Sequence, residues 1–317
     1  MNASGRGVLK TLARRVRRWG ARRHGSPRLV ALTATRNEDW ILGLSLRASL
    51  SFCDAVVISD HSSSDATGEI LEALRGEYPE RRIDVHRTVS SEWREAEVRQ
   101  EMLERGRRLD ATHFVIVDAD EVPTGNLLPR LRELALGLRP GRCNSLPMIS
   151  PYHCANVYRF DGVWGECSGI PWAFADDADL TWQLDDDYQL HRRAPRGVSD
   201  VGLAVPGRRE GGLFHLQFVN RQRLASKAAW YKMMETVTYP GRRTAADLNL
   251  MYDWTLSEDA QIRLESVPPE WWSPYRERGW LEHFRPDAPA WQSREARRLL
   301  EQYGQARFSG LELYGVV

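Results

Sequence analysis

Apolar and polar residues alternate in blocks over the first half of the chain. Four apolar runs of strand length lie at residues 29–34, 55–59, 82–86 and 113–117. Three stretches with apolar residues at helical spacing separate them, at residues 39–50, 66–74 and 91–109. This alternation predicts a mostly parallel α/β sheet, because each crossover helix must cover one face of strands that are apolar on both sides.

The pattern becomes irregular after residue 138. Residues 140–215 mix short apolar runs with Gly, Pro, Trp and acidic clusters, as a mixed-sheet or loop-rich region does. Helical patterns follow at residues 221–237, 244–254 and 268–317, the last of them rich in Trp. We therefore expect a sheet domain over residues 28–240 and a helical C-terminal extension over residues 241–317.

Residues 1–27 form a basic leader. Residues 1–28 carry nine Lys and Arg side chains and no acid, whereas the net charge of the whole chain is +1, so the body of the protein is acidic. Apolar residues recur at helical spacing among these cations, at Val8, Leu12, Val16 and Trp19. The leader is interpreted either as an amphipathic helix on an anionic membrane surface or as a solvated, disordered tail.

Composition and motifs exclude several classes of protein. No apolar run approaches the ~20 residues of a membrane span, and no signal-peptide stretch is present. The four Cys residues have irregular spacing, which argues against a zinc ribbon or a disulfide framework. No Gly-x-Gly-x-x-Gly follows the first strand and no P-loop motif occurs. We expect a cytoplasmic protein without a nucleic-acid partner, peripheral on the inner face of the membrane if the leader is amphipathic.

Polar clusters follow three of the predicted strands. They are Thr35-Arg36-Asn37-Glu38, residues 60–65 (DHSSSD) and Asp118-Ala119-Asp120-Glu121. In open, Rossmann-like sheets ligands bind at the carboxyl ends of the strands, so the clusters should share one edge. Asp118 and Asp120 lie two positions apart at a strand end, where both could reach one hard cation. The alternative is an Asp-rich turn that only ends the strand.

These clusters together resemble a known enzyme family. The segments are Arg36-Asn37-Glu38, residues 57–60 (VISD) with 63–67 (SSDAT), and residues 117–121 (VDADE). Their order and spacing resemble family 2 glycosyltransferases of the GT-A fold. The resemblance implies a Rossmann-like GT-A fold with a nucleotide-binding half (28–138) and an acceptor half (139–240). It also implies transfer of a sugar, with inversion, from a nucleoside-diphosphate sugar to a hydroxyl of a glycan, a lipid-linked molecule or a small molecule.

The resemblance assigns roles to individual residues. The residues expected to contact the nucleotide sugar are Arg36, Asn37, Glu38, Asp60, Asp65, Arg99 and Asp118. Asp60 would accept a hydrogen bond from the base, and Asp118 would approach the ribose or the metal. Asp120 would ligate Mn²⁺ or Mg²⁺ between the two phosphates. Arg99, on the helix before Asp118, faces the diphosphate in one interpretation and solvent in the other.

Three residues near position 220 are further candidates for the site. His215 lies in an apolar run, FHLQF. It is either a third metal ligand, as in similar GT-A enzymes, or a hydrogen-bonded core histidine. Lys227 and Lys232 are two of only three lysines. They either meet phosphate or lie on a solvated surface.

An inverting transfer needs a carboxylate that deprotonates the acceptor hydroxyl. The candidates in the acceptor half are Asp161, Glu166, Asp176, Asp177 and residues 185–187. Related transferases place the base shortly before a segment similar to Trp172-Ala173-Phe174, which favours Glu166, with Asp161 second. Trp164, beside Glu166, either stacks on a sugar or packs in an ordinary turn.

Two other functions are compatible with the same patterns. A non-catalytic protein of this fold could bind a nucleotide or a glycan without turnover. A sugar nucleotidyltransferase could also carry acidic residues at the strand ends. However, such enzymes usually look Gly- and Lys-rich after the first strand, where this chain has Thr-Arg-Asn-Glu.

Overall fold

The computed structural model describes residues 26–88, 93–161, 169–183, 186–253, 256 and 262–316. Four parallel strands open the described chain: β1 (Leu29–Thr35), β2 (Ala55–His61), β3 (Arg82–Thr88) and β4 (His113–Ile116). The helices between them are α1 (Leu42–Leu50), α2 (Thr67–Glu77) and α3 (Glu95–Arg108). The strands lie in the order β3-β2-β1-β4, and the predicted alternation of strand and helix is confirmed.

The second half of the described chain adds short strands of both directions, most of them to the same sheet. They are β5 (Glu121–Pro123), β6 (Arg142–Ile149), β7 (Val157–Arg159), β8 (Gly169–Ala175), β9 (Ser199–Leu203), β10 (Leu213–His215) and β11 (Leu264–Ser266). β8 runs antiparallel between β4 and β6, while β10 and β9 run parallel to β6. β5 pairs antiparallel with β10, and β7 and β11 form a separate pair. This mixed, mostly parallel sheet flanked by helices is consistent with the Rossmann-like GT-A fold expected from the sequence.

Within the described residues, five more α-helices follow β4. They are α4 (Leu128–Leu136), α5 (Arg221–Thr238), α6 (Ala245–Asp253), α7 (Pro269–Glu277) and α8 (Trp291–Tyr303). Trp272 of α7 stacks on Phe214 of β10, with ring centroids 4.4 Å apart. Tyr275 of α7 donates a hydrogen bond to the carbonyl of Pro123. The predicted helical C-terminal extension therefore packs directly on the sheet, and Trp271, Trp272 and Trp291 are buried in the core.

The central strands β1 and β2 are buried because most of their side chains are apolar on both faces. Every residue of β2 is buried, and so is every residue of β1 except Ala34. Among the described helices, none is long and apolar enough to cross a membrane. The basic leader lies outside the described residues, so its role as a membrane helix stays a prediction.

A close backbone approach at Gly212, just before β10, gives a stability prediction. A Cβ at this position would lie 2.1 Å from the carbonyl oxygen of Pro147, which belongs to β6 and cannot move without breaking the sheet. We expect Gly212→Ala to lower the free energy of unfolding by about 1–3 kcal/mol or more in urea denaturation. Gly76→Ala is the control, because Gly76 is exposed in α2 with open space around its Cα, and Ala should stabilise that helix slightly. Equal stability of Gly212→Ala and wild type would contradict the close approach.

Candidate functional site

A cavity of about 610 Å³ opens at the carboxyl ends of β1 and β4. One side is formed by the segments that follow these two strands, including Arg36, Glu38 and residues 118–121. α3 and α5 supply further walls, and Trp291 of α8 closes one side. The polar clusters after β1 and β4 therefore share one edge of the sheet, which is where an open α/β sheet binds its ligands.

Asp118 lies between two arginines at the base of this cavity. Arg99 of α3 donates to both carboxylate oxygens of Asp118, at 3.1 and 3.2 Å, and Arg193 donates to Oδ2 at 3.1 Å. Burial alone would raise the pKa of Asp118, but the two guanidinium groups outweigh it and the pKa is lowered. Arg99 is only 5% exposed. It therefore lies in the cavity wall beside Asp118 and not on a solvated helix face.

Glu121 is the most deeply buried acid of the site. It is fully buried, and Arg193 donates to its two carboxylate oxygens at 2.7 Å each. The backbone N–H of Asp118 also donates to Glu121, at 2.9 Å. Burial raises the pKa of Glu121 to about 7, although Arg193 opposes the rise. Glu121 thus anchors Arg193, which in turn holds Asp118 in place.

Asp120 faces a lysine and a histidine from the second half of the chain. Lys227 Nζ of α5 lies 2.7 Å from Asp120 Oδ2, and His215 Nε2 lies 3.8 Å from the same oxygen. Burial would raise the pKa of Asp120, but Lys227 outweighs it and holds the pKa at about 2. Burial lowers the pKa of His215 to about 4. At neutral pH Asp120 is therefore ionised and His215 is a neutral imidazole.

Glu38 lies in the cavity wall, near enough to Asp120 for the two carboxylates to interact. Its carboxylate accepts hydrogen bonds from the indole N–H groups of Trp40 and Trp291. Burial, with a smaller contribution from Asp120, raises the pKa of Glu38 to about 7. Arg36 stacks over the Trp291 ring with its Cζ 4.7 Å from the ring centroid. The loop after β1 is thus fixed by α8, far along the sequence.

The remaining residues predicted to bind the nucleotide form a separate hydrogen-bonded cluster. Asn37 accepts from the backbone N–H of Ser64, and Asp65 accepts from that of Asp39. Asp60 accepts from the N–H of Ser63 at 3.0 Å and lies 3.2 Å from Arg87. The described residues that line the cavity do not include Asn37, Asp60 or Asp65. The roles assigned to these three residues stay predictions.

Of the two predicted catalytic bases, only Asp161 lies among the described residues. Asp161 is held by both Nε and Nη2 of Arg159, and it is not among the described cavity-lining residues. Glu166 and Trp164 fall outside the described residues, as does Asp185. Asp176 pairs with Arg107 at 2.8 Å and lies beside Thr112 at the start of β4, whereas the cavity lies at the carboxyl end of that strand. The identity of the base stays a prediction.

Aromatic side chains of α5 and α6 line another part of the cavity. Tyr231 of α5 stacks on Tyr252 of α6, with ring centroids 5.4 Å apart and an interplanar angle of 9°. Behind them, the hydroxyl of Tyr252 donates to the buried carboxylate of Glu235 and also lies 3.1 Å from His191 Nε2. His191 itself lines the cavity. No sequence motif marks any of these four residues as part of the site.

Comparison with known proteins places the chain only at a distance from others. The sequence matches no protein-family model and no curated protein. Its structure is similar to a mannosyltransferase from Pyrobaculum calidifontis in complex with GDP-Man and Mn²⁺, at 14% identity and a TM-score of 0.35, over 90% of this chain and 86% of that one. It is also similar to GalNAc-T7 with UDP, GalNAc and Mn²⁺, at 10% identity and a TM-score of 0.33, over 74% of this chain and 56% of that one. A third similar structure is a nucleoside-diphosphate-sugar pyrophosphorylase from Vibrio cholerae, at 8% identity and a TM-score of 0.29, over 56% of this chain and 85% of that one.

The side chains of the cavity fit a divalent cation in part. Within the described residues, no three His, Cys, Asp or Glu side chains are grouped as a complete metal-binding set. Asp118 is a poor ligand because Arg99 and Arg193 already occupy its oxygens. Asp120 and His215 fit better, since an ionised carboxylate and a neutral imidazole 3.8 Å apart can bind one ion of the Mn²⁺ type. Two protein ligands suffice where substrate phosphates supply others.

The position of Lys232 differs from both positions predicted from the sequence. This residue was expected on a solvated surface or beside phosphate. Instead it is fully buried and lies 2.5 Å from Asp253 of α6, with Asn249 as a second partner. The reason is that α6 packs against the face of α5 that carries Lys232. Lys227, one and a half turns earlier, points into the cavity instead.

Proposed function

We propose that this protein is a glycosyltransferase that moves a sugar from a nucleoside-diphosphate sugar to a hydroxyl acceptor, with Mn²⁺ or Mg²⁺ at the diphosphate. The observation that carries the proposal is the pair of ionised carboxylates, Asp118 and Asp120, at the carboxyl end of β4. Both face a cavity large enough for a small-molecule ligand. Acids and cations alternate around them, as a site for a phosphorylated ligand and its counter-ion requires.

The charge balance of the cavity supports the need for a bound cation. Arg99, Arg193 and Lys227 are each already paired with a carboxylate. A diphosphate would bring further negative charge into this buried space, which is costly unless that charge is paired. A cation held by Asp120 and His215 would supply the missing positive charge and would stabilise the departing diphosphate as a Lewis acid.

The aromatic side of the cavity is the proposed acceptor site. The faces of Tyr231 and Tyr252, with Trp230 and Trp93 nearby, suit packing against a sugar ring or another flat, partly apolar group. Transfer with inversion, and Glu166 or Asp161 as the base, are proposed from the family resemblance. The same holds for a glycan, a lipid-linked molecule or a small molecule as the acceptor.

A thermal-shift screen of the full chain tests the donor class. UDP-, GDP-, CDP- and dTDP-sugars are added with and without Mn²⁺. We expect one nucleotide class to raise the melting temperature in the presence of Mn²⁺, and a ligand at 100 times its Kd stabilises by about 2.7 kcal/mol. Stabilisation should need both components, because the cation and the diphosphate neutralise each other.

The screen also separates this proposal from its alternatives. Inorganic pyrophosphate and nucleoside triphosphates are the control ligands, since a nucleotidyltransferase would use them. Slow release of a nucleoside diphosphate from the stabilising donor indicates a transferase. Stabilisation without any release, even with a panel of acceptors, would indicate a binding protein. No shift with any of the four donor classes would contradict the proposal.

A further inference from the structure

Lys227 is placed where it affects the proposed metal site directly. Its ammonium is 2.7 Å from Asp120 Oδ2, the carboxylate oxygen that lies 3.8 Å from His215 Nε2. The oxygen best placed to share a metal with His215 is therefore the one that the lysine holds. The Lys227 side chain is about one-fifth exposed and lines the cavity, so it has room to move.

A lysine ammonium and a divalent cation compete for one carboxylate. Both are cations that bind the same oxygen lone pairs, and they repel each other strongly when they are only a few ångströms apart in a buried site. A lysine also carries its charge on a flexible stem of four carbons, so it can leave one anion for another nearby. A phosphate oxygen in the cavity would offer such a second anion.

We propose that Lys227 is an internal cation that occupies the metal position at Asp120 until a nucleoside diphosphate enters, and that it then transfers to a phosphate oxygen and lets the metal bind. This inference rests on the proposed function, because it assumes that Asp120 is a metal ligand. It adds an ordered assembly: the divalent ion alone binds weakly, whereas the ion and the diphosphate bind cooperatively. The lysine thus keeps the site from filling with metal in the absence of donor.

Titration of Mn²⁺ into the full chain, followed by the electron paramagnetic resonance signal of free Mn²⁺, tests this inference without any measurement of activity. We expect Lys227→Met to bind Mn²⁺ at least about tenfold more tightly than wild type when no nucleotide is present. Lys232→Met is the matched control, since Lys232 is likewise a lysine of α5 that pairs with an aspartate, and it should leave Mn²⁺ affinity unchanged. The double variant Asp120→Asn/Lys227→Met should lose the gain.

A second titration adds UDP, GDP, CDP or dTDP. In wild type, the stabilising nucleotide should raise Mn²⁺ affinity at least about tenfold, and this coupling should shrink in Lys227→Met. A misfolded variant cannot bind metal more tightly, so loss of fold cannot mimic the expected result. Equal Mn²⁺ affinity in wild type and Lys227→Met would overturn the inference and leave the metal site intact. If neither wild type nor Lys227→Met binds Mn²⁺, with or without nucleotide, both the inference and the assignment of the metal site are wrong. Binding of the donor is measured separately by thermal shift.

Discussion

Replacing Arg193 with Met is expected to lower the free energy of unfolding by about 3–5 kcal/mol, because it leaves a buried carboxylate without its counter-charge. The guanidinium of Arg193 donates to both oxygens of Glu121, which is fully buried. It also donates to the backbone carbonyls of Ile116 and Pro171, and so joins the ends of β4 and β8. A methionine fills similar volume but makes none of these bonds. Urea denaturation monitored by circular dichroism measures the loss.

The loss should depend on pH in a defined direction. Burial raises the pKa of Glu121 to about 7 even with Arg193 present, and removal of Arg193 raises it further. A carboxyl group whose pKa is higher in the folded protein than in the unfolded chain favours the folded state at low pH and loses that contribution as the pH rises. The deficit of Arg193→Met should therefore be smaller near pH 5 than near pH 8.

Two further variants distinguish the loss of the buried Arg193–Glu121 pair from the loss of any positively charged side chain. Arg75→Met removes an arginine from an exposed pair with Glu72 and should change stability by less than about 1 kcal/mol. Arg193→Met/Glu121→Gln should recover part of the loss, since the fully buried acid at position 121 is then replaced by a neutral amide. A deficit of Arg193→Met no larger than that of Arg75→Met, or no recovery in the double variant, would contradict the buried pair.

The sequence predicted the sheet and the acidic side of the site because both depend on local patterns. Apolar runs with polar ends define β1, β2 and β4, and the rule for open sheets then places the following residues at one edge. Asp118 and Asp120 at the cavity follow from these two steps. Asp60 also ends its strand as expected and pairs in register with Thr35. However, strand position alone does not determine whether a side chain enters the cavity or a loop network.

The basic and aromatic side of the site could not be predicted in this way. Lys227 meets Asp120 across 107 positions, and Trp291 meets Glu38 across 253. Such contacts depend on how α5 and α8 pack on the sheet, which periodicity does not fix. Arg193 lies in an irregular segment that no pattern marks. One signal was available: a fully buried acid such as Glu121, next to a metal-type motif, requires a cationic partner somewhere in the chain.

Asp120→Asn is expected to lower the turnover of the donor by at least about 100-fold, a loss typical of removing one group that stabilises developing charge. The amide keeps the size of the side chain but removes the negative charge that would hold the cation beside His215. It also leaves Lys227 without its carboxylate partner. Release of nucleoside diphosphate from the donor found in the thermal-shift screen, at saturating Mn²⁺, measures the effect. The fall should appear in kcat and should not be recovered by more metal.

Asp84→Asn is the matched control for this loss. Asp84 is an aspartate of β3 that accepts from Arg105 at 2.8 Å and is not among the described cavity-lining residues. Its replacement should leave turnover near the wild-type value. If Asp120→Asn keeps more than about a tenth of the activity, Asp120 cannot be a principal metal ligand, because a neutral amide binds a hard cation much more weakly than a carboxylate. Retained activity that depends on Lys227 would then assign the neutralisation of the leaving diphosphate to that lysine rather than to a metal ion.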